Sequence, residues 1–429
     1  MNPQRSNQTS DESGVSRVAP TSLADIELTN HLSEIIDTRR NEELESRLQI
    51  NRDAAPLDVL ARVLSLNSTA SGLSSFTMSN QLGHPEAVGF RAIGFGQCGI
   101  IFERPGRGYV IKVARPYFEE ALWNDLQVHA ACYQAFERQQ PRLEVRVPRV
   151  LSYVPRANRT WWDTHLPLFP PERTAFPLPS MALMTERILP LPKIARQALI
   201  NTYCPAPSQL AASSEPTNRD CLARIYLGRR RPLIRPPLAN FTLRNFSLFL
   251  DQMVELQFPI HEYAYAIGEA LAVIHWSAHL DAFDVEFVLG SERESTWDSS
   301  IHLALGDIGE ALSAMPPHTD IETLLAVNFK RRTTRLWVLD FNLCSTWQEK
   351  QALDEPDNLI EQLVHAFIEN DPYYPRPLAD LETDQELWRV FSSAYHKKAT
   401  NILSVPGREA RISELPQKFL DACVLKQRG

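Results

Sequence analysis

The segment HWSAHLDAFDVEFVLG, residues 275–290, puts His279, Asp281, Asp284 and Glu286 within eight residues and runs at once into apolar Phe287-Val288-Leu289. Carboxylates beside a core strand are costly unless compensated. Either a cation meets them, or they move protons as general acid or base; the plain alternative is a solvated turn between a helix and a strand. Two nearby histidines, His275 and His279, are candidate bases, although a histidine at a helix end often serves only as a hydrogen-bonding group.

Three further groups are of a type that does chemistry. Gly94-Phe95-Gly96-Gln97-Cys98-Gly99 is a GxGxxG run, and glycines allow tight turns and close backbone approach to a ligand. A strand-like run follows it instead of a helix, so it reads as a glycine-rich hairpin and not as the phosphate turn of a dinucleotide fold. Lys112 lies thirteen residues past Gly99, inside Val110-Ile111-Lys112-Val113-Ala114. Such a lysine calls for a carboxylate, with Asp125, Glu119 or Glu120 in reach; a structural ion pair at an edge strand is the plain alternative. Asp340 closes Leu336-Trp337-Val338-Leu339 and precedes Phe341-Asn342, where an acid either serves the site or caps a helix. The run ARIYLGRRRPLIRPP holds Arg224, Arg229, Arg230, Arg231 and Arg235, either a phosphate-contacting surface or a solvated loop. Cys98 and Ser277 are the candidate nucleophiles.

The elements that must position these groups follow from periodicity. Residues 1–22 are polar and Ser-rich and read as a disordered tail. Residues 23–70 carry apolar positions at three- and four-residue spacing and read as a helical extension. From 89 the pattern turns to β: VGFRAIGFGQCGIIFE, a turn at RPGRG, then YVIKVA. One helix is expected over 117–138 and a short strand near 183. Ile260, Ala264, Ile267, Leu271 and Ile274 mark a buried helix face that delivers the chain to the acidic segment. RLWVLDFNLC supplies a second strand, and the tail is helical. The domain reading is a β-rich part over 89–189, then a mainly helical part over 190–429 with insertions at 190–240 and 291–334.

Composition limits the partners. The 429 residues are 44% hydrophobic, enough for a sizeable core, and the net charge of -8 argues against a uniformly basic nucleic-acid binder. The six cysteines form no CxxC pair and no histidine cluster has zinc-ligand spacing, so no metal site is expected. The polar start is no secretory signal and no apolar run is long enough to span a membrane. The expectation is a soluble, thiol-reduced, cytoplasmic protein without DNA or membrane partners.

In order, Gly94 to Gly99, Lys112, Asp125, His279-Leu280-Asp281 and Asp340-Phe341-Asn342 resemble the protein-kinase and aminoglycoside-phosphotransferase-like fold over roughly residues 89–370. The resemblance implies an α+β, two-lobed molecule with Lys112, Asp125, Asp340 and the glycines Gly94, Gly96 and Gly99 lining a substrate cleft. The departures are Glu286 where kinases place a metal-binding Asn, Asn342 where they place the last glycine of DFG, and an unusually long span between Asp281 and Asp340. A second resemblance rests on DAFDVEFVLG with NDPYYPRP far downstream, which is similar to a fungal family known under a zinc-finger-associated domain of unknown function, some members of which are arginine-containing cyclodipeptide synthases. It implies condensation of arginyl-tRNA with a second aminoacyl-tRNA in secondary metabolism, without ATP or other cofactor. Asp281, Asp284 and Glu286 would then share guanidinium recognition and proton transfer, and the arginine run would contact tRNA. The alternatives are an ATP- and Mg²⁺-dependent phosphotransferase and a catalytically inactive kinase-like interaction module.

Overall fold

The computed structural model describes residues 54–64, 69–71, 89–104, 107–139, 141, 145–170, 177–232, 241–293, 331–370, 372–405 and 409–428. The expected tail over 1–22, most of the expected helix over 23–70 and most of the 291–334 insertion lie outside them. The described end of that helical stretch is helix α1 (Pro56–Val63) followed by strand β1 (Thr69–Ser71).

The β pattern that opens at residue 89 builds a meander. Strands β2 (Arg91–Phe95), β3 (Gly99–Glu103) and β4 (Tyr109–Ala114) pair antiparallel in succession. Tyr109, Ile111 and Val113 are buried on one face of β4, while Val110 and Lys112 are half-buried on the other, the alternation expected of a strand. Helix α2 (Glu119–Gln139) follows, with Glu119 and Glu120 in its first turn and Arg138 in its last, charges that complement the helix dipole. Asp125 and His129, one turn apart, are buried together on its inner face. After β5 (Val145–Arg146) and β6 (Val150–Val154) comes the short helix α3 (Arg159–His165), capped by Asn158, whose side chain accepts from the Trp161 N–H. Strand β7 (Ala182–Glu186) completes a five-stranded sheet of order β2-β3-β4-β7-β6. Lys112 therefore sits on the central strand and not on an edge, because the segment near 183 pairs with β4 from the far side.

The chain then adds helices α4 (Lys193–Tyr203) and α5 (Gln209–Ser214), strands β8 (Ala223–Tyr226) and β9 (Phe246–Phe249), and helices α6 (Leu250–Glu255) and α7 (Ile260–Trp276). Strands β10 (Glu286–Arg293) and β11 (Arg331–Leu339) form a long antiparallel pair, and helices α8 (Glu349–Asp354), α9 (Pro356–Glu369), α10 (Glu382–Leu403) and α11 (Ala410–Arg428) close the fold. The molecule is thus mixed α+β, sheet-rich toward its N-terminal part and helical toward its C-terminal part. The C-terminal part also contains its own sheet, of order β1-β11-β10-β8-β9 with β5 parallel to β11. The Pro/Arg-rich composition around residue 224 hides β8. Its Ala223 and Ile225 alternate inward with half-buried Arg224 and Tyr226, a period of two too short to stand out beside the arginines.

Helix α7 is buried nearly all round, as its uninterrupted apolar sequence requires. It meets α10 so closely that a Cβ at Gly268 would lie 2.5 Å from the Phe391 carbonyl oxygen. We expect Gly268→Ala to lower stability by about 1–3 kcal/mol, the cost of overpacking, despite alanine's better helix propensity. Thermal unfolding followed by circular dichroism checks this; an unchanged or higher midpoint would contradict it.

Candidate active site

The register of the β10–β11 pair builds the site. Glu286 opens β10 opposite Leu339, the last residue of β11, so Glu286 and Asp340 emerge at the same end of the pair despite their distance in sequence. On the neighbouring strand Arg224 is opposite Val288. Two residues along β10 on the same face is Glu286, and this diagonal relation brings the Arg224 guanidinium onto the Glu286 carboxylate.

Lys112 approaches from the N-terminal sheet. Its Nζ lies 2.8 Å from Asp125 Oδ2 on α2 and 3.7 Å from Asp340 Oδ1. Lysine, helix carboxylate and post-strand aspartate face one cleft, as their sequence order implied. A cavity of about 260 Å³ lies here, with Gly94 and Gly96 of the hairpin, Lys112, Arg224, Glu286 and Asp340 among its walls. Its other walls combine apolar Ile93, Ile101, Val110, Leu183, Ile188 and Val288 with charged Glu186, Arg187, Asp220 and Arg244. Gly99 acts differently, since a Cβ there would lie 2.7 Å from the Val113 carbonyl oxygen of β4; its lack of a side chain lets the two strands pair closely.

Too many acids converge here for all to be charged at little cost. Burial pushes the Glu286 carboxyl up to about 7; Arg224 opposes the rise, and Asp340 and Asp284 add to it. Asp340 is also raised, by burial first, with Lys112 opposing and Asp125 and Asp284 adding. Asp284, at the exposed rim, is raised by partial burial against the pull of Arg224. Burial disfavours a charge on Lys112, yet Asp125 and Asp340 outweigh it and hold the ammonium protonated.

The loop between α7 and β10 is strained: His279, Ala282 and Asp284 have φ of 57°, 62° and 63°, and Asp340 has 67°. Non-glycine residues seldom adopt this left-handed conformation, and such residues gather at functional sites. The loop is braced by the segment after β11. His279 stacks on Trp347 with centroids 4.4 Å apart, and the Trp347 N–H donates to the His279 carbonyl. Asp281 belongs to this bracing. Its Oδ1 accepts from the backbone N–H groups of Phe283 (3.1 Å) and Ser345 (2.9 Å), its Oδ2 accepts from Gln362 Nε2 (3.2 Å), and the residue is 5% exposed. It is not among the cavity walls, whereas Glu286 is.

The other candidates are placed as follows. Cys98 is buried and burial raises its thiol pKa, though Lys112 works against this, so the thiolate that a nucleophile needs is disfavoured. His275 is buried against the Tyr395 hydroxyl (2.8 Å) and burial lowers it to about 3, leaving it neutral in the core. Arg230 holds Asp384 with two hydrogen bonds of 2.9 and 2.6 Å, and Arg231 pairs with Asp251 and, at 3.3 Å, with Glu255. Phosphate contact by Arg224, Arg230 or Arg231 would have to displace these internal pairs. The Arg229 carbonyl accepts from the Leu250 N–H, and Arg235 lies outside the described residues. Sequence reasoning passed over Asn370, which donates to the Val285 carbonyl at 2.9 Å and to the Tyr374 hydroxyl at 3.2 Å. It ties the NDPYYPRP segment to the acidic loop, a role its polar neighbourhood gave no sign of.

A family model described as "Zinc finger protein" matches residues 336–407. The match runs from within β11 through α10 and takes in Asp340 and Asn370, but covers far less than half of the chain. A search of curated proteins finds no match. The family finding overturns the assignment to arginine-containing cyclodipeptide synthases drawn from DAFDVEFVLG and NDPYYPRP: the matching family carries the zinc-finger description alone, and nothing in it speaks for such an enzyme. Short acidic and Pro/Tyr-rich strings are compatible with many folds, which is why they misassigned the chain. Among the described residues no group of three or more His, Cys, Asp or Glu side chains is placed to hold a metal ion. All six cysteines are free and buried, and no helix among the described residues is long and apolar enough to cross a membrane.

Proposed function

We propose that the cleft is the active site of a kinase-like fold adapted to acyl transfer, taking a cationic, arginine-like amine as acceptor and an activated aminoacyl ester, such as an aminoacyl-tRNA, as donor. The cationic acceptor is read from the charges of the cleft; the ester donor is the part of the proposal that the incubation with charged tRNA tests. The observation that carries it is the crowding of Glu286, Asp340 and rim Asp284 beside Arg224, with Lys112 already shared between Asp125 and Asp340; the two other arginines of the cavity walls are engaged elsewhere, Arg187 with Glu103 and Asp220 and Arg244 with the Ile93 carbonyl. A second cation entering the cavity relieves that repulsion. The Arg224–Glu286 contact supports it further, because these carboxylates already receive a guanidinium.

The chemistry is a proton transfer and an acyl exchange. Glu286, with a carboxyl near neutrality, takes a proton from the acceptor ammonium or from the amine as it attacks. The amine nitrogen bonds to the ester carbonyl carbon, and the ester oxygen departs with a proton. An ester donor already carries the activation, so this chemistry calls for no cofactor. The second reading, phosphotransfer from ATP·Mg²⁺ with Lys112 at the phosphates, is favoured by the Lys112–Asp125 and Lys112–Asp340 geometry. It must contend with Arg224 occupying Glu286, the side chain that would stand in for a metal-binding Asn.

One experiment separates the two. Purified protein is incubated with a charged tRNA pool including arginyl-tRNA, and the products are analysed by mass spectrometry for arginine-containing dipeptides, linear or cyclic. A parallel sample receives ATP, Mg²⁺ and arginine and is analysed for phosphate transfer. Dipeptide formed without ATP is the expected result; ATP-dependent phosphorylation alone would establish the second reading, and neither product would remove the cleft from catalysis by these chemistries.

A further inference from the structure

Behind the Arg224–Glu286 pair lie two buried polar atoms that call for an explanation. Among the described residues neither the Arg224 Nε–H nor the Tyr373 hydroxyl makes a hydrogen bond, although both atoms are buried. Buried polar groups are seldom left so without a reason.

The two atoms belong to one neighbourhood. Arg224 leaves the half-buried face of β8, and Tyr226 follows two residues on along the same face. The Tyr373 ring meets Tyr226 edge-on with centroids 5.2 Å apart and lies tilted against Phe287, the residue after Glu286, at 6.2 Å. Its segment is fixed there, because the Pro372 carbonyl accepts from the Gly228 N–H at 2.9 Å. The Arg224 guanidinium therefore has the Tyr226 hydroxyl against it and the Tyr373 hydroxyl close by, while its Nη2 holds Glu286. Arg224 and Glu286 line the cavity; Tyr226 and Tyr373 stand outside its walls, and Tyr373 is 4% exposed. Burial raises the Tyr373 hydroxyl well above its ordinary range, and Glu286 adds to the rise, so it stays a neutral group able to accept a hydrogen bond.

A cationic acceptor entering the cavity competes for Glu286 with the guanidinium already on it. Exchanging one cation for another keeps the carboxylate paired. The cost falls on Arg224, a partly buried cation that loses its partner. The lone pairs of the two tyrosine hydroxyls offset that cost by accepting from its N–H groups, Nε–H among them.

We propose that Arg224 is an internal plug, which holds Glu286 until a cationic acceptor displaces it onto the hydroxyls of Tyr226 and Tyr373. The proposal rests on the cationic-acceptor reading of the cleft and adds to it the residue that competes with the acceptor and the place to which that residue moves. Tyr373 acts through Arg224 and is a positioning residue.

The test is a binding cycle on the full chain. Calorimetry at pH 9 measures L-arginine, with uncharged L-citrulline as control, against wild type, Arg224→Met, Tyr373→Phe and the double variant. That pH lies above the Glu286 value of about 7 and allows for the further rise that loss of Arg224 brings. Apparent affinity falls with the fraction of molecules whose site is free, so Arg224→Met should bind arginine about tenfold or more tightly than wild type. Tyr373→Phe takes away an acceptor for the displaced guanidinium and should bind arginine about threefold or more weakly, a penalty that should vanish in the Arg224→Met background. Thermal melting checks folding, and Arg224→Gln, which can still donate to Glu286, takes the place of Arg224→Met if that variant unfolds. Arginine affinity in the Arg224 variant equal to or below that of wild type overturns the plug and leaves the acceptor reading standing. The same Tyr373→Phe penalty in both backgrounds makes Tyr373 a packing residue and overturns the displacement. No arginine binding by any of the four proteins, or equal binding of citrulline, removes the acceptor reading and the plug with it.

Discussion

Replacing Glu286 by Gln should cut product formation by about a hundredfold or more, the range expected when a general base is removed, while the fold survives. The amide keeps the shape of the side chain and can still accept from Arg224, so a collapse of the site is not the cause. The pH profile separates the proton-transfer role from a structural one. With the carboxyl near 7, wild-type activity should rise through neutrality as Glu286 loses its proton, and the variant's residual activity should lack that rise. Stability follows with a definite sign. A glutamic acid raised from 4.5 to about 7 in the folded chain holds a proton that the unfolded chain has already released. Its stabilising effect is complete below the unfolded value and is lost as pH climbs from about 4.5 to 7. Above that window the charged carboxylate is a burden relieved only in part by Arg224. Melting temperatures of Glu286→Gln should therefore equal or exceed wild type at pH 8 and lose that advantage by pH 5. A variant that is fully active, or that melts well below wild type at pH 8, would make Glu286 a structural partner of Arg224 and nothing more.

Lys112 should give the larger loss of stability. Its ammonium compensates Asp125, which is buried, and approaches Asp340. Lys112→Met removes one member of a buried pair and leaves a carboxylate without its cation, a change that costs about 3–5 kcal/mol in comparable sites. The double variant Lys112→Met with Asp125→Leu removes both charges and should regain most of that loss, because well-packed apolar pairs replace buried ion pairs at little cost. Urea unfolding of wild type, the two single variants and the double variant gives the coupling directly. Additive losses would show that the pair contributes no specific interaction. Activity need not recover in the double variant, since Lys112 also lines the cavity, and this contrast separates the lysine's structural work from its work on a ligand.

Local sequence determined much of this protein. Alternating and helical periodicities located the glycine-rich meander, the long α2 helix, the β7 strand and the buried α7 helix, since burial of one face imposes a period on the residues that form it. The pairing of Lys112 with a carboxylate of the following helix was equally legible, because a lysine within an apolar strand has few stable arrangements. Residue types alone also picked out the acidic segment. They could not say which carboxylate faces the cleft. Asp281, Asp284 and Glu286 look equivalent in sequence, yet backbone donors from Phe283 and Ser345 and the amide of Gln362 claim Asp281 for loop bracing, and a left-handed turn leaves Asp284 at the rim. The β10–β11 register carries Glu286 to Asp340, and the β8–β10 register brings it Arg224. Those are pairings between strands far apart in the chain, and strand register follows from which faces find burial in the assembled sheet, a property that belongs to no single segment.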